Sequence, residues 1–534
     1  MWIALSRIAR RPHAAAVLAL VAIAFGVYSG VLDHAFLLNW DDHDYVVRNE
    51  AIRGLSWENV RTAFGRPYFG NYAPLHLLSY AVDHAVWGMS AGGFLFTNVL
   101  LHGANGALLH VLLVRLGAGR AAAALAAALF LVHPVQVESV AWISERKNVL
   151  CMAFLLAALH GYAAYRAPGA RRRAWTYSAS FAAAAAALLT KAAAVVIAPL
   201  LVLFDLCHVE PSARRRWVID KAPFVLATVA IAAATISSQR EMIAEGRAAY
   251  SMDPPTTLYT MVPVVARYLG MLAWPAGLSA IYAPAVREGA DLAFAASAAL
   301  LTGLAALGVL LFRRRRPLFF WYAAFFLGLV PVLQIVPLPT LMNDRYLYFP
   351  MLGASAFAAL ALEPVLKAGR DPLRRAAKVA AAVAVAVLAL LSHARVEVWR
   401  DDLSLWQDAA AKDPRSALAW AGLGMSLLDG GRGDEALHAF LSALAIDPAH
   451  RLALNDAGAL WNERGEPLRG RPYLVRAVSL WPDYFPAYMN LGRSYLMTGE
   501  LGAAEEAFRA ALRIEPAAPE ALSALADVRR RMRP

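Results

Sequence analysis

Two carboxylates stand side by side at Asp41 and Asp42, within Asn39-Trp40-Asp41-Asp42-His43-Asp44-Tyr45, soon after an apolar run from Ala14 to Val31. Carboxylates close to a membrane lose solvation, so they are usually kept for a task. Adjacent acids also repel, which raises one proton affinity and suits that group to take a proton from a hydroxyl. Other polar groups interrupt the apolar sequence at Leu101-His102, His133-Pro134-Val135-Gln136-Val137-Glu138, Glu145-Arg146-Lys147-Asn148 and Asn343-Asp344-Arg345-Tyr346. Arg345, Arg146 and Lys147 are the basic groups among these, and an arginine can grip an anion through paired N–H donors. His102, His133, Glu138 and Tyr346 are candidate substrate-binding groups. Blander readings stand beside these. The acid pair also reads as a solvated loop or a helix N-cap, the basic residues as side chains snorkelling to the interface, and His133 and Glu138 as helix-end polar groups. His102, inside an apolar run, reads equally as a packed, hydrogen-bonded histidine. Asp41, Asp42, His43 and Asp44 lack zinc or EF-hand spacing, so neither a metal nor another cofactor is assigned, and a divalent cation is unsupported.

The elements that must position these groups are membrane helices. The chain has 534 residues, 59% hydrophobic and 17% charged, with mean hydropathy +0.47. A soluble protein carries more charge, so most of this chain belongs in lipid. The net charge of +12 is concentrated in Arg clusters between apolar runs, which marks topology and not a nucleic-acid surface. Cys151 and Cys207 lie in apolar runs and give no disulfide or metal pattern. The abundance of Ala, Gly and Arg hints at a GC-rich bacterial genome. Arg7, Arg10 and Arg11 precede an apolar run too long for a signal peptide, which is read as an uncleaved first span.

Spans are expected near 14–31, 94–114, 120–136, 148–165, 174–190, 193–209, 221–237, 291–312, 317–337, 346–363 and 376–393, about eleven in all. Ala-rich faces at Ala121–Ala128 and Ala182–Ala187 allow close packing in lipid. The positive-inside rule puts Arg7/Arg10/Arg11, Arg115/Arg120, Arg166/Arg171/Arg172/Arg173, Arg214/Arg215/Arg216, Arg313–Arg316 and Lys367/Arg370/Arg374/Arg375 in the cytoplasm. Thr260–Trp274 is then an interfacial or re-entrant helix, because Arg267 in its middle is costly in a span. The N-terminus falls inside and the C-terminus outside. Outside loops run near 32–93, 137–147, 238–290 and 338–345, and the acid pair is in the first.

From about Arg395 a repeat begins. Pro414, Pro448, Pro482 and Pro516 stand 34 residues apart, and Gly424/Gly458/Gly492, Gly431/Gly465/Gly499 and Ala443/Ala477/Ala511 keep the same step. With Trp420-x-x-Leu423-Gly424 and Tyr488-x-x-Leu491-Gly492, this is the tetratricopeptide pattern. Each unit is a helical hairpin whose small residues let two helices touch. The expected fold is all-α: a polytopic membrane bundle over 1–394, then an extracytoplasmic α-solenoid over 395–534. The latter holds a partial repeat at 401–414, repeats near 415–448, 449–482 and 483–516, and a capping helix at 517–534. Such a solenoid binds a peptide or partner protein, or serves only as a structural cap.

The chain resembles the multi-span glycosyltransferases of the GT-C superfamily, and specifically the TMTC-type O-mannosyltransferases, which join such a membrane domain to tetratricopeptide repeats. The resemblance rests on Asp41-Asp42 after the first span, Leu101-His102, His133-Pro-x-x-x-Glu138-x-Val-Ala and Arg345-Tyr-Leu-Tyr-x-Pro350, in that order before the repeats. Glu145-Arg146-Lys147-Asn148 departs from a Gly-Arg-Ala-Asp-like pattern, matching only at the Arg, and three or four repeats are few. The resemblance implies a polyprenyl-phosphate sugar donor, an inverting displacement, and a protein or glycan acceptor that the repeats help to hold. It makes Asp41, or else Asp42, the base and casts the basic residues as ligands of the departing phosphate. A bacterial cytoplasmic membrane, with the repeats periplasmic, is the implied location. Two other classes compete: a non-enzymatic scaffold that displays the repeats to envelope proteins, and a surface-polysaccharide polymerase or ligase. The latter usually places its large loop late in the chain.

Overall fold

The computed structural model describes residues 11–170, 172–210, 218–244, 252–367 and 371–533. Arg7, Arg10, Arg171, Arg214, Arg215, Arg216 and Arg370 of the basic clusters lie outside them. The chain divides into two compact units, Met1–Asp401 and Asp402–Pro534. Both are helical. Among the described residues the only extended pairing outside helices is an isolated bridge between Tyr68 and Asn71.

The first unit begins with α1 (Arg11–Val27), α2 (Trp57–Gly65), α3 (Pro74–Trp87), α4 (Ala91–Arg115), α5 (Arg120–Val132), α6 (Val137–Ala141) and α7 (Arg146–Arg166). It continues through α8 (Arg173–Leu188), α9 (Ile197–His208), α10 (Ala222–Ala244), α11 (Pro254–Ala273), α12 (Leu292–Arg314), α13 (Arg316–Leu329), α14 (Tyr348–Lys367) and α15 (Asp371–Val396). Side-chain caps start several of these. Ser90 Oγ accepts from Gly93 N at 3.3 Å and Asp291 Oδ1 from Phe294 N at 2.7 Å, satisfying first-turn donors that lack a helical partner. Pro134 lacks an N–H, so α5 stops at Val132 and the chain turns by 55° into the segment Pro134–Ala141.

Each of the eleven expected spans carries a helix, but their lengths differ from the expectation. Among the described residues, six helices are long and apolar enough to cross a bilayer: Ala91–Arg115, Ile143–Arg166, Ile219–Ser238, Leu292–Arg314, Asp344–Lys367 and Pro372–Trp399. The bent pair through Pro134 makes a seventh. Ala14–Val27, Ala192–His208 and Arg316–Val332 are apolar but shorter; at 1.5 Å per residue they fall short of a hydrocarbon core of about 30 Å. The α12 stretch is only 6% buried and the α15 stretch 17%, so these apolar faces suit lipid. In α11 the buried residues Thr260, Met261, Val264, Val265, Tyr268 and Met271 recur at helical spacing. That is one amphipathic face, and the exposed Arg267 lies 5.0 Å over the Tyr282 ring.

Small residues set the closest approaches. Ala122, Ala123, Ala126 and Ala127 of α5 are fully buried. A methyl at Gly353 of α14 would lie 2.4 Å from Phe325 N and 2.6 Å from the Trp321 carbonyl of α13, so the two backbones touch there.

The second unit runs through α16 (Asp402–Lys412), α17 (Ala417–Asp429), α18 (Gly433–Ile446), α19 (Arg451–Glu463), α20 (Pro467–Leu480), α21 (Phe485–Met497), α22 (Leu501–Ile514) and α23 (Pro519–Met532). The glycine step has a steric cause. A methyl at Gly424, Gly458 or Gly492 would meet Phe440, Leu474 or Phe508 of the paired helix at 2.6, 2.4 and 2.5 Å. Gly431, Gly465 and Gly499 turn each hairpin with φ of 71°, 76° and 78°, the region where glycine has no steric cost.

Candidate active site

The acid loop is shaped by its own backbone. The Asp41 carbonyl accepts from Tyr45 N at 2.9 Å, and a π-type turn, His43–Val47, follows. This conformation gives the two acids different surroundings. Asp42 is 1% exposed. It accepts from Leu37 N at 3.1 Å, Ser144 N at 2.9 Å and Ser144 Oγ at 2.5 Å, clamping the loop to the segment before α7. Burial pushes its pKa up to about 7, against the pull of those donors. Asp41 is partly exposed, and its carboxylate makes no hydrogen bond or ion pair among the described residues. Burial raises its pKa too, while Lys147 and Arg345 act through space to lower it.

Near Asp41 lies a network of charge centred on Glu145. Its Oε1 is 3.1 Å from Lys147 Nζ and 3.4 Å from Arg345 Nε, and its Oε2 is 3.3 Å from Lys191 Nζ. Arg345 Nη1 is 2.5 Å from Glu138 Oε1, and the Arg345 backbone N donates to Glu138 Oε2 at 2.6 Å. Lys191 also donates to Asn148 Oδ1 at 2.6 Å. The Arg345 guanidinium lies 5.3 Å from the Trp142 ring and 5.5 Å from that of Tyr346, and Lys147 Nζ is 5.3 Å over Tyr45. Side-chain exposures of 14%, 20% and 14% for Lys147, Lys191 and Arg345 leave all three cations reachable. The arrangement offers one unpartnered carboxylate beside a set of cations: a base and an anion seat.

The structure brings together Asp41, Glu138, Lys147, Arg345 and Tyr346 from the sequence candidates. It places the others elsewhere. Arg146 is fully buried, with Nη2 at 2.5 Å from Asp83 Oδ2 and 2.5 Å from the Phe94 carbonyl, and Nε bonded to Asn98 Oδ1. It braces α7 against α3 and α4 and is withdrawn from the anion seat. His102 joins Tyr348 OH at 2.9 Å and the Leu131 carbonyl at 3.1 Å, linking α4 to α14 and α5. The His133 ring accepts from Val135 N at 3.4 Å and donates to the Leu272 carbonyl at 3.1 Å, tying the bend after α5 to α11. Sequence reasoning missed Lys191, although a signal existed: it is the one charged residue between Arg173 and Asp205. Glu145 was visible only as a departure from a family pattern.

These features define a class: a multi-pass helical membrane protein with a compact charged site and terminal tetratricopeptide repeats. The tetratricopeptide repeat family matches residues 399–451 and 463–527. The chain is similar to two proteins of Drosophila melanogaster, the protein O-mannosyl-transferase Tmtc3, at 26% identity over 28% of this chain and 16% of that protein, and the protein O-mannosyl-transferase Tmtc1, at 30% identity over 27% and 17%. It is thus TMTC-like, though it covers about a sixth of the length of these relatives. Among solved structures, the apo oligosaccharyltransferase of Archaeoglobus fulgidus aligns over 73% of this chain and 56% of that one, with 13% identity and a TM-score of 0.40. The first tetratricopeptide domain of human RPAP3 aligns over 22% and 92%, with 21% identity and a TM-score of 0.21.

Proposed function

We propose that this protein is a GT-C-type membrane glycosyltransferase that moves a sugar, mannose by analogy with its named relatives, from a polyprenyl phosphate to a hydroxyl of a protein acceptor. The observation that carries the reading is Asp41, a partly exposed, unpartnered carboxylate beside three reachable cations. The acceptor oxygen attacks the anomeric carbon as its proton passes to Asp41. The bond from that carbon to the phosphate oxygen breaks with inversion, and the polyprenyl phosphate leaves with its charge on Lys147, Lys191 and Arg345. Asp42 holds the loop and takes no proton from substrate.

A lipid-borne donor is supported by a second feature. An apolar cavity of about 820 Å³ opens between α11, α12 and α13, lined by Leu258, Met261, Leu304, Tyr322 and Phe326. Gln334 stands at its edge and donates to the Thr340 carbonyl at 2.8 Å, and Thr340 Oγ1 meets Tyr346 OH at 2.7 Å. One short loop therefore joins the apolar cavity to the residue beside Arg345. The basic clusters support a site on the outer face of a bacterial cytoplasmic membrane.

The test is transfer of label from polyprenyl-phosphate mannose to a Ser/Thr-rich peptide by the full chain in lipid. Asp41→Asn should lower kcat by about 10²-fold or more, the scale of a lost general base. Full activity of this variant removes Asp41 from the role. A wild-type chain that transfers nothing, while the repeats alone on another anchor restore function in cells, would favour the scaffold.

A further inference from the structure

One turn in the first unit carries a residue at odds with its shape. Tyr68 N donates to the Asn71 carbonyl and Asn71 N to the Tyr68 carbonyl, both at 2.9 Å, closing a two-residue loop. Its central residues, Phe69 and Gly70, have φ of +47° and +72°. A turn with two left-handed central residues favours Asn-Gly, and an aromatic side chain there is strained. Strain of this kind is kept where the residue has work to do.

Phe69 is 40% exposed, and its ring lies 5.5 Å from the Tyr45 ring, at 74° to it. The turn is fastened to the acid loop twice: Asn71 Nδ2 donates to Tyr45 OH at 2.8 Å, and Tyr68 OH donates to the Asp44 carbonyl at 2.6 Å. Tyr45 is also the ring beneath Lys147 Nζ. Phe69 and Asp41 therefore ride on one braced assembly, with the ring at its exposed end.

We propose that Phe69 is a positioning residue for the peptide acceptor. Its ring gives an apolar contact to the peptide beside the reacting hydroxyl. Because ring and base share one assembly, that contact sets the hydroxyl at Asp41. The donor phosphate is assigned to Lys147, Lys191 and Arg345, so Phe69 is given to the acceptor and not the donor. This rests on the glycosyltransferase reading above.

Two variants separate the ring from the turn. Phe69→Asn suits the left-handed turn and removes the ring, whereas Phe69→Trp keeps a ring. In the transfer assay, Phe69→Asn should raise KM for the Ser/Thr-rich peptide about tenfold and lower kcat as the hydroxyl loses its setting at Asp41, leaving donor KM near wild type, and Phe69→Trp should keep the peptide KM near the wild-type value. Anisotropy of a labelled copy of that peptide, with no donor present, should show the same weakening. Unchanged peptide affinity, or a change in donor KM alone, overturns the proposal. If the wild-type chain transfers no sugar, the enzymatic reading fails, and the binding measurement still decides whether Phe69 holds a peptide.

Discussion

Arg146 and Lys147 are neighbours in sequence, yet their removal should have opposite consequences. Arg146 is fully buried against Asp83, whose side chain is 4% exposed, with Tyr80 5.5 Å away. Arg146→Met deletes the cation and strands that carboxylate, at a cost of about 3–5 kcal/mol. Asp83→Asn combined with Arg146→Met removes both charges and should recover most of the loss, because a buried pair is worth little more than apolar packing. Lys147→Met leaves Glu145 with Lys191 and Arg345 still in place. Its stability cost should be smaller than that of Arg146→Met, because Glu145 keeps two cationic partners, while donor KM rises about tenfold or more with the loss of one phosphate ligand. Titration of each variant with dodecyl sulfate in mixed micelles gives the stabilities, and initial rates give the KM values. The reasoning is refuted if Lys147→Met unfolds as readily as Arg146→Met, or if the double variant is no more stable than Arg146→Met alone.

Transfer should rise with pH through a midpoint above 3.8, the ordinary value for Asp41, because the base must be unprotonated. Lys147→Met removes a cation that lowers this pKa, so the midpoint should move up; a downward move contradicts the assignment. For Asp42, raised from 3.8 to about 7 in the folded chain, the sign is fixed by linkage. Its stabilising contribution is full below the unfolded value and lost as pH rises through the folded one, so wild-type stability should fall more than that of Asp42→Asn between pH 3.8 and about 7. Parallel curves would rule this out. Lys191→Met should raise donor KM about tenfold and leave peptide KM alone, and equal effects on both would place Lys191 outside the anion seat. In the repeats, Gly492→Ala meets Phe508 and should cost about 1–3 kcal/mol. Gly502→Ala, with nothing within 4 Å, should be neutral or slightly stabilising by thermal unfolding of the full chain.

What could be read from the sequence was whatever has a period or a length. The 34-residue step located every helical hairpin, since Gly424, Gly458 and Gly492 are forced by Phe440, Leu474 and Phe508. Apolar runs located helices, but not their ends or how many are long enough to cross a bilayer: Pro134 splits one and a short 3₁₀ turn at Ala192–Val196 precedes another. Direction was not legible. Asp41 and Asp42 read alike as a pair, and a local turn gives one a clamp's role and leaves the other free. Consecutive helical residues point about 100° apart, which sends Arg146 into the bundle and Lys147 to the site. Glu145, Lys191 and Arg345 meet only because α7, the end of α8 and the start of α14 converge, and no local pattern encodes that.

The most direct test of the central claim is a cryo-electron microscopy map of the full chain in lipid nanodiscs with a polyprenyl phosphate bound. The account predicts the phosphate within hydrogen-bond reach of Lys147, Lys191 and Arg345, with Asp41 facing its open side. A phosphate bound at a site away from these residues would contradict it.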